Sequence, residues 1–257
     1  MKKIHIIILL FFISFLKLYS QEICGEIKYT FKTDIAYEYI EQYSMKFNNT
    51  SSLFQEIDVK QIENKQKTIE SNDGETKASF AKRKNINSKY FYNIKNAFYF
   101  KDIFEDVELI VKEDKFVWDW KLKSETKAIG NFKCQKATIT YRGRNYIAWF
   151  TNEIPVPFGP WKFQGLSGII LEVYDTDKKI HIVANKIKIN TEDCSINIDK
   201  SSFKEALNIK EYLSRKEELI NEVFAKMASK MPKGFTMPKY DKNCEDCKGI
   251  EIFDEEN

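Results

Sequence analysis

Histidine is nearly absent from this chain, with only His5 and His181 in 257 residues. His5 falls in an amino-terminal stretch expected to be removed, which leaves His181 alone. That excludes a zinc centre built on two or three histidines of one chain. A Ser-His-Asp or Cys-His arrangement would have to run through His181. Its setting, Lys179-Ile-His-Ile-Val183, alternates so that His181 lies opposite Ile180 and Ile182, on the less apolar face of a strand. Glycine and proline are scarce as well, at nine and five. No phosphate-cradling loop exists, because Gly165-Leu-Ser-Gly168 lacks the lysine and the spacing of a P-loop. The same four residues lack the G-x-S-x-G pattern of a nucleophile elbow.

Long hydrophobic runs are confined to the amino end, where Met1-Lys2-Lys3 precedes an apolar stretch from Ile4 to Leu16. A membrane-spanning helix needs about 20 apolar residues. This shorter run, its basic start and the small residue at its exit predict a secretory signal peptide over residues 1–20, cleaved between Ser20 and Gln21. Gln21-Glu22-Ile23 lacks the small residue that precedes a lipidated cysteine, so Cys24 is not read as a lipid anchor. Removing the leader takes Lys2, Lys3 and Lys17 with it. Lys+Arg then falls from 41 to 38, equal to the 38 acidic residues. The excess positive charge belongs to the leader, and Lys82-Arg83-Lys84 is the only basic run of note. Nucleic acid is excluded as a partner on these grounds.

Five cysteines, at 24, 134, 194, 244 and 247, are an odd count in a chain expected in an oxidising compartment. Sequence cannot assign their partners. Cys134 reads as a small buried apolar residue. Cys244-Glu-Asp-Cys247 has acidic inner residues, which disfavour a thiolate, and no second ligand pair for a metal; it reads as a tail staple. No metal or cofactor is implied.

Glu26–Thr33 alternates, with Ile27, Tyr29 and Phe31 on one face, and predicts a half-buried strand. Leu53–Ile62 reads as a second, and residues 63–89 as a long exposed connection. Further strands are predicted over Tyr90–Phe100, Val107–Val111, Phe116–Leu122, Phe132–Tyr141, Tyr146–Thr151, Gly168–Tyr174 and Ile180–Ile189. Tight turns such as Arg142-Gly-Arg144 join them. The fold class is mainly β: a curved antiparallel sheet, a half-barrel or open barrel, packed on a carboxy-terminal helix. Ser202-Phe-Lys-Glu205 is a capping-box pattern that predicts this helix over about 202–230, as the cover of the sheet. The expected organisation is one domain over residues 21–231 followed by a cysteine-containing acidic tail over 232–257.

Three glycines and a proline crowd into Gly159-Pro-Trp-Lys-Phe-Gln-Gly-Leu-Ser-Gly168, which runs on into Ile169-Ile-Leu171. Glycine admits tight turns and close backbone approach, so this segment is expected to turn sharply and enter the core. Taken with Trp120–Gly130, Phe132–Ala137, Arg142-Gly-Arg144, Ala148-Trp-Phe-Thr151 and Glu153-Ile-Pro155, it resembles the GLPGLI family of exported bacterial proteins. The motif stands here as Gly165-Leu166-Ser167-Gly168-Ile169-Ile170, with Ser167 in place of proline and Ile169 in place of leucine. The resemblance is dense over residues 118–175 and looser at Glu26–Phe31 and Ser51–Phe54. It implies an exported protein, in the periplasm or at the outer membrane, and supplies no activity. The β-rich pattern is also similar to half-barrels that carry lipoproteins across the periplasm, a likeness of fold alone.

Aromatic residues crowd the same region. Trp149, Phe158, Trp161 and Phe163 are candidate ligand-binding residues, with Trp161 and Phe163 expected to be exposed because they lie in the glycine-proline segment. Arg142 and Arg144 are candidates for an anionic group, or partners of Glu153 and Asp175. The sequence favours a non-catalytic binding protein for a hydrophobic or peptide-like ligand, or for a cell-envelope partner. The alternatives are a hydrolase using carboxylates or His181, and a purely structural envelope protein.

Overall fold

Alternation of the kind seen in Glu26–Thr33 builds nearly all of this protein. The computed structural model describes residues 22–35, 38–57, 89–94, 97–113, 116–190, 193–230 and 249–253. The expected leader, nearly all of the 63–89 connection and Cys244–Cys247 lie outside them. The strands are β1 Gly25–Asp34, β2 Glu38–Phe47, β3 Ser51–Ile57, β4 Tyr90–Ile94, β5 Ala97–Phe104, β6 Val107–Glu113, β7 Lys121–Ile129, β8 Phe132–Tyr141, β9 Arg144–Thr151, β10 Ile169–Asp175 and β11 Ile180–Ile189. They form one antiparallel sheet in the order β6-β5-β4-β3-β2-β1-β11-β10-β9-β8-β7. This is two meanders, β1–β6 and β7–β11, joined edge to edge through β1 and β11.

The sheet is curled, and side-chain contacts prove it. β6 and β8 stand nine places apart in the order, so a flat sheet would separate them by about 43 Å at the usual strand spacing. Yet the hydroxyl of Tyr141, at the end of β8, donates to Oε1 of Glu113, at the end of β6, over 3.3 Å. Trp161 likewise meets Phe91 of β4 at 6.5 Å and Tyr141 of β8 at 6.1 Å between ring centroids. The sheet therefore curls far enough to bring its two halves together while remaining unclosed, as the half-barrel expectation requires.

The inward face is filled chiefly by residues 152–168 rather than by a helix. Ile154, Val156, Phe158, Trp161, Phe163 and Leu166 are all buried in the main core, among Ile27, Tyr29, Met45, Phe54 and Tyr146. This inward-folded segment is held by backbone bonds from Ile169 N to Ile154 O (3.0 Å) and Ile170 N to Phe158 O (3.0 Å), and by Tyr29 OH donating to Ile170 O at 2.8 Å. Gly168 is required by close approach, since a Cβ there would stand 2.0 Å from the carbonyl oxygen of Thr151. Trp161 and Phe163 are thus buried, 5% and 1% exposed, against the expectation that a glycine-proline segment displays its aromatics. The strands left an unfilled concave face, and apolar surface of that size draws in the nearest segment able to cover it.

The helix also departs from expectation. Ser201–Glu205 makes a short 3-10 turn, and the α-helix, α1, runs Ile209–Ala228. Leu207 is the reason: it bridges β6, with its N–H donating to Ile110 O and its carbonyl accepting from Lys112 N, which holds residues 206–208 extended. A second capping box then starts the helix, Asn208 accepting from Glu211 N at 2.9 Å and Glu211 accepting from Asn208 N at 2.9 Å. Helix α1 packs on the β5–β6 end of the sheet, through Tyr212 and Leu219 on Phe98, Phe100, Leu109 and Val111. Asn208→Ala is expected to lower stability by about 1 kcal/mol, read as a shift in denaturation midpoint at unchanged slope.

Residues 116–120 are extended but unpaired, with the strand starting at Lys121 rather than Phe116. β2 was not foreseen; β3 starts at Ser51, and residues 58–62 of the expected second strand lie outside the described residues. Cys24, just before β1, is bonded to Cys194, just after β11, which locks the seam between the two meanders; Cys134 is free and buried. A bridge closing a loop of 170 residues restricts the unfolded chain strongly, so Cys24→Ser with Cys194→Ser is expected to cost about 3–5 kcal/mol. Chemical denaturation with and without reductant checks it.

Candidate functional site

A cleft of about 440 Å³ lies between the rim of the sheet and the inward-folded segment. One wall is the β2–β3 turn, with Asn49 and Thr50, and the facing ends of β4 and β5, with Ile94 and Ala97, continued by Asn93 and Phe98. The other is Pro157, Phe158, Gln164 and Gly165, with Phe116 and Trp118 from the β6–β7 linker. Glu113, Tyr141 and Lys162 complete it. The linker is drawn across the mouth because Trp118 and Trp120 stack at 6.0 Å and both rings meet Phe163. Gly165 lets this happen: its φ of +91° suits glycine, and a Cβ there would stand 2.9 Å from Trp118 Cβ.

The polar groups of the cleft are few and mostly committed. Asn93 Nδ2 donates to Gln164 Oε1 at 2.6 Å, and Trp120 Nε1 donates to Gln164 O at 2.8 Å. Lys162 is buried, and its Nζ contacts Glu113 Oε2 at 2.7 Å and Glu251 Oε1 and Oε2 at 2.9 and 2.8 Å. These three contacts use all the protons of an ammonium. Nζ also stands 4.2 Å from the centroid of Phe100. Burial would push the Glu113 carboxyl up, but Lys162 and Arg142 (2.8 Å from Oε1) outweigh it and hold the group below its ordinary value. Tyr141 is pushed well above the usual phenol range by burial and by Glu113 and Glu251. Glu113, Lys162, Arg142, Tyr141 and Glu251 thus engage one another in a single network. Four buried groups lack a hydrogen-bond partner among the described residues, Trp118 Nε1, Arg142 Nε, Tyr146 OH and Trp149 Nε1, and of these residues Trp118 alone lines the cleft.

The sequence-derived candidates are dispersed by the fold. Phe158 lines the cleft, while Trp161 and Phe163 stand behind it in the core. Trp149 lies under Lys127, whose Nζ is 4.5 Å from its ring centroid. Arg142 is engaged by Glu113 through Nη2, its Nε being buried without a hydrogen-bond partner among the described residues, and Arg144 is engaged by Asp175 at 3.1 Å. The motif residues Gly159, Pro160, Leu166, Ile169 and Ile170 are buried, whereas Gly165 and Ser167 are exposed, Ser167 Oγ bonding Asn152 Oδ1 at 2.8 Å. His181 sits on the outward side of β11, where Nε2 is 2.9 Å from Glu172 Oε1. Lys127 pairs with the other oxygen of Glu172, and against the upward push of burial the hydrogen bonds of His181 and Lys127, with the charge of Lys127, keep that carboxyl low. Sequence reasoning missed Glu113, Lys162, Asn93 and Gln164, which lie in unremarkable strand ends and inside the motif. Among the described residues no group of three or more histidine, cysteine, aspartate or glutamate side chains is placed to hold a metal.

Residues 141–172 match the model of a family described as a protein of unknown function (Porph_ging). The match covers β9, the inward-folded segment and the start of β10, and carries a different name from the motif resemblance above. No curated protein matches the chain. Among solved structures, two crystal forms of PNGF-II are similar with a TM-score of 0.47, at 17% and 18% identity, over 74% and 76% of this chain. The chain spans 32% of the length of PNGF-II. At that level the likeness carries nothing about activity.

Proposed function

We propose that this is an exported binding protein that holds a hydrophobic or peptide-like ligand in the cleft beside the Gly159–Ile170 segment. The leader pattern and the Cys24–Cys194 bridge support export. The observation that carries the binding reading is the cleft itself: aromatic and aliphatic walls, an amide pair, and a buried indole N–H with no partner. Ligand sites have this character, mostly apolar with a few fixed polar groups.

Titration with a fluorescent apolar probe such as bis-ANS tests the reading. One probe per chain is expected to bind, and Ala97→Trp, which fills the cleft from the start of β5, is expected to weaken it about tenfold or more while the cooperative unfolding transition is kept; tenfold corresponds to about 1.4 kcal/mol. Equal binding by the folded variant would remove the cleft from consideration.

A further inference from the structure

Residues Gly249–Phe253 are held by the domain as a peptide ligand is held. They contact the tip of the β8–β9 hairpin, and residues 231–248 separate them from Lys230. The backbone is read at three points. Arg144 Nε donates to Ile250 O at 3.1 Å and Nη2 to Gly249 O at 3.0 Å, and Ile252 N donates to Arg142 O at 3.1 Å. The side chains are read as well. Glu251 takes Lys162 with both oxygens, Phe253 lies 4.4 Å from the Arg142 guanidinium carbon, and Ile250 packs on the main core. Gly143 makes room for Ile252, since a Cβ there would stand 2.8 Å from Ile252 Cβ.

The receptor is organised from within the domain. Arg144 is oriented by Asp175, and Arg142 and Lys162 are both oriented by Glu113. Without Glu251, two cations would face the single carboxylate of Glu113, leaving a net positive charge at a largely buried site. Such a site attracts an anion, and bonds to charged groups of fixed orientation are the strong ones.

We propose that the tip of the β8–β9 hairpin, with Arg142, Gly143, Arg144 and Lys162, is a binding site for a peptide carrying glutamate between two aliphatic residues and followed by an aromatic. The chain's own Ile250–Phe253 occupies it in cis and is exchangeable for the same pattern in trans. The site requires an N–H at the second aliphatic position, so proline is rejected there. Lys162 and Glu113 also line the cleft, but Arg142 and Arg144, which read the peptide backbone, do not, so the proposal does not rest on the cleft reading.

The test is fluorescence anisotropy of a labelled peptide spanning Lys248–Asn257, titrated with full-length protein. In the wild-type chain the tethered segment competes at an effective concentration on the order of mM. In the full-length Ile252→Ala, Phe253→Ala chain that competition is weakened while Glu251 still neutralises the site. The peptide is expected to bind the double variant about tenfold more tightly than the wild type. A Glu251→Gln peptide is expected to bind it about tenfold more weakly, with affinity falling as salt rises. Should the double variant fail to fold, Phe253→Ala alone, which removes only the ring over Arg142, carries the same titration. No saturable binding to the folded variant, or equal binding by the glutamine peptide, would overturn the proposal.

Discussion

Lys162→Ala is expected to lower the folding stability by about 3–5 kcal/mol, because removing one partner of a buried ion pair leaves the other charge uncompensated. In this protein the effect is compounded: Glu113 and Glu251 both lose the cation between them, and only Arg142 remains to face the two carboxylates. Equilibrium denaturation measures it. The same network fixes a pH dependence. The folded Glu113 carboxyl titrates below its ordinary value of 4.5, so its contribution is fully present above that pH and is lost as pH falls through the lower, folded value. Wild-type stability should therefore drop on acidification below about pH 4.5, and a Glu113→Gln chain, already destabilised, should show a shallower drop. An equally steep acid limb in that variant would assign the acid sensitivity to other carboxylates, Asp102 and Glu172 being the next held low.

Phe163→Ala is the second large effect, expected at about 3–5 kcal/mol for a fully buried phenylalanine. Its ring meets Tyr146 at 4.8 Å, Trp161 at 5.3 Å, Trp118 at 5.8 Å and Trp120 at 6.1 Å, so one deletion opens a void where the linker, the inward-folded segment and β9 converge. Read from sequence, Phe163 was expected to lie at a ligand surface and to tolerate alanine. The two readings part clearly in a melting experiment. A loss of several degrees with a retained cooperative transition fits the core position, whereas an unchanged melting temperature fits the exposed one.

What was legible in the sequence was local. Period-two alternation in Glu26–Thr33, Phe132–Tyr141 and Ile180–Ile189 located strands because each has one buried and one polar face. The glycines of Gly159–Gly168 announced a segment with unusual backbone needs, met at Gly165 by positive φ and at Gly168 by contact with Thr151. What was not legible depends on residues far apart in the chain. The start of α1 moved from Ser202 to Asn208 because Leu207 is captured by β6, some hundred residues earlier. Asp175 stood among the expected partners of the two arginines and pairs with Arg144, whereas Glu113 and Glu251, 29 and 109 residues from Arg142, were not foreseen as its partners. The cleft could not be foreseen at all, since its walls come from a turn and strand ends of one meander and the inward-folded segment of the other.

Native mass spectrometry of the full chain purified from its own cells, wild type beside Ala97→Trp, tests the binding reading most directly. The account predicts a bound species of discrete mass on the wild type that is absent from the folded variant. A wild-type protein that carries nothing, or a variant that retains the same adduct, would contradict it.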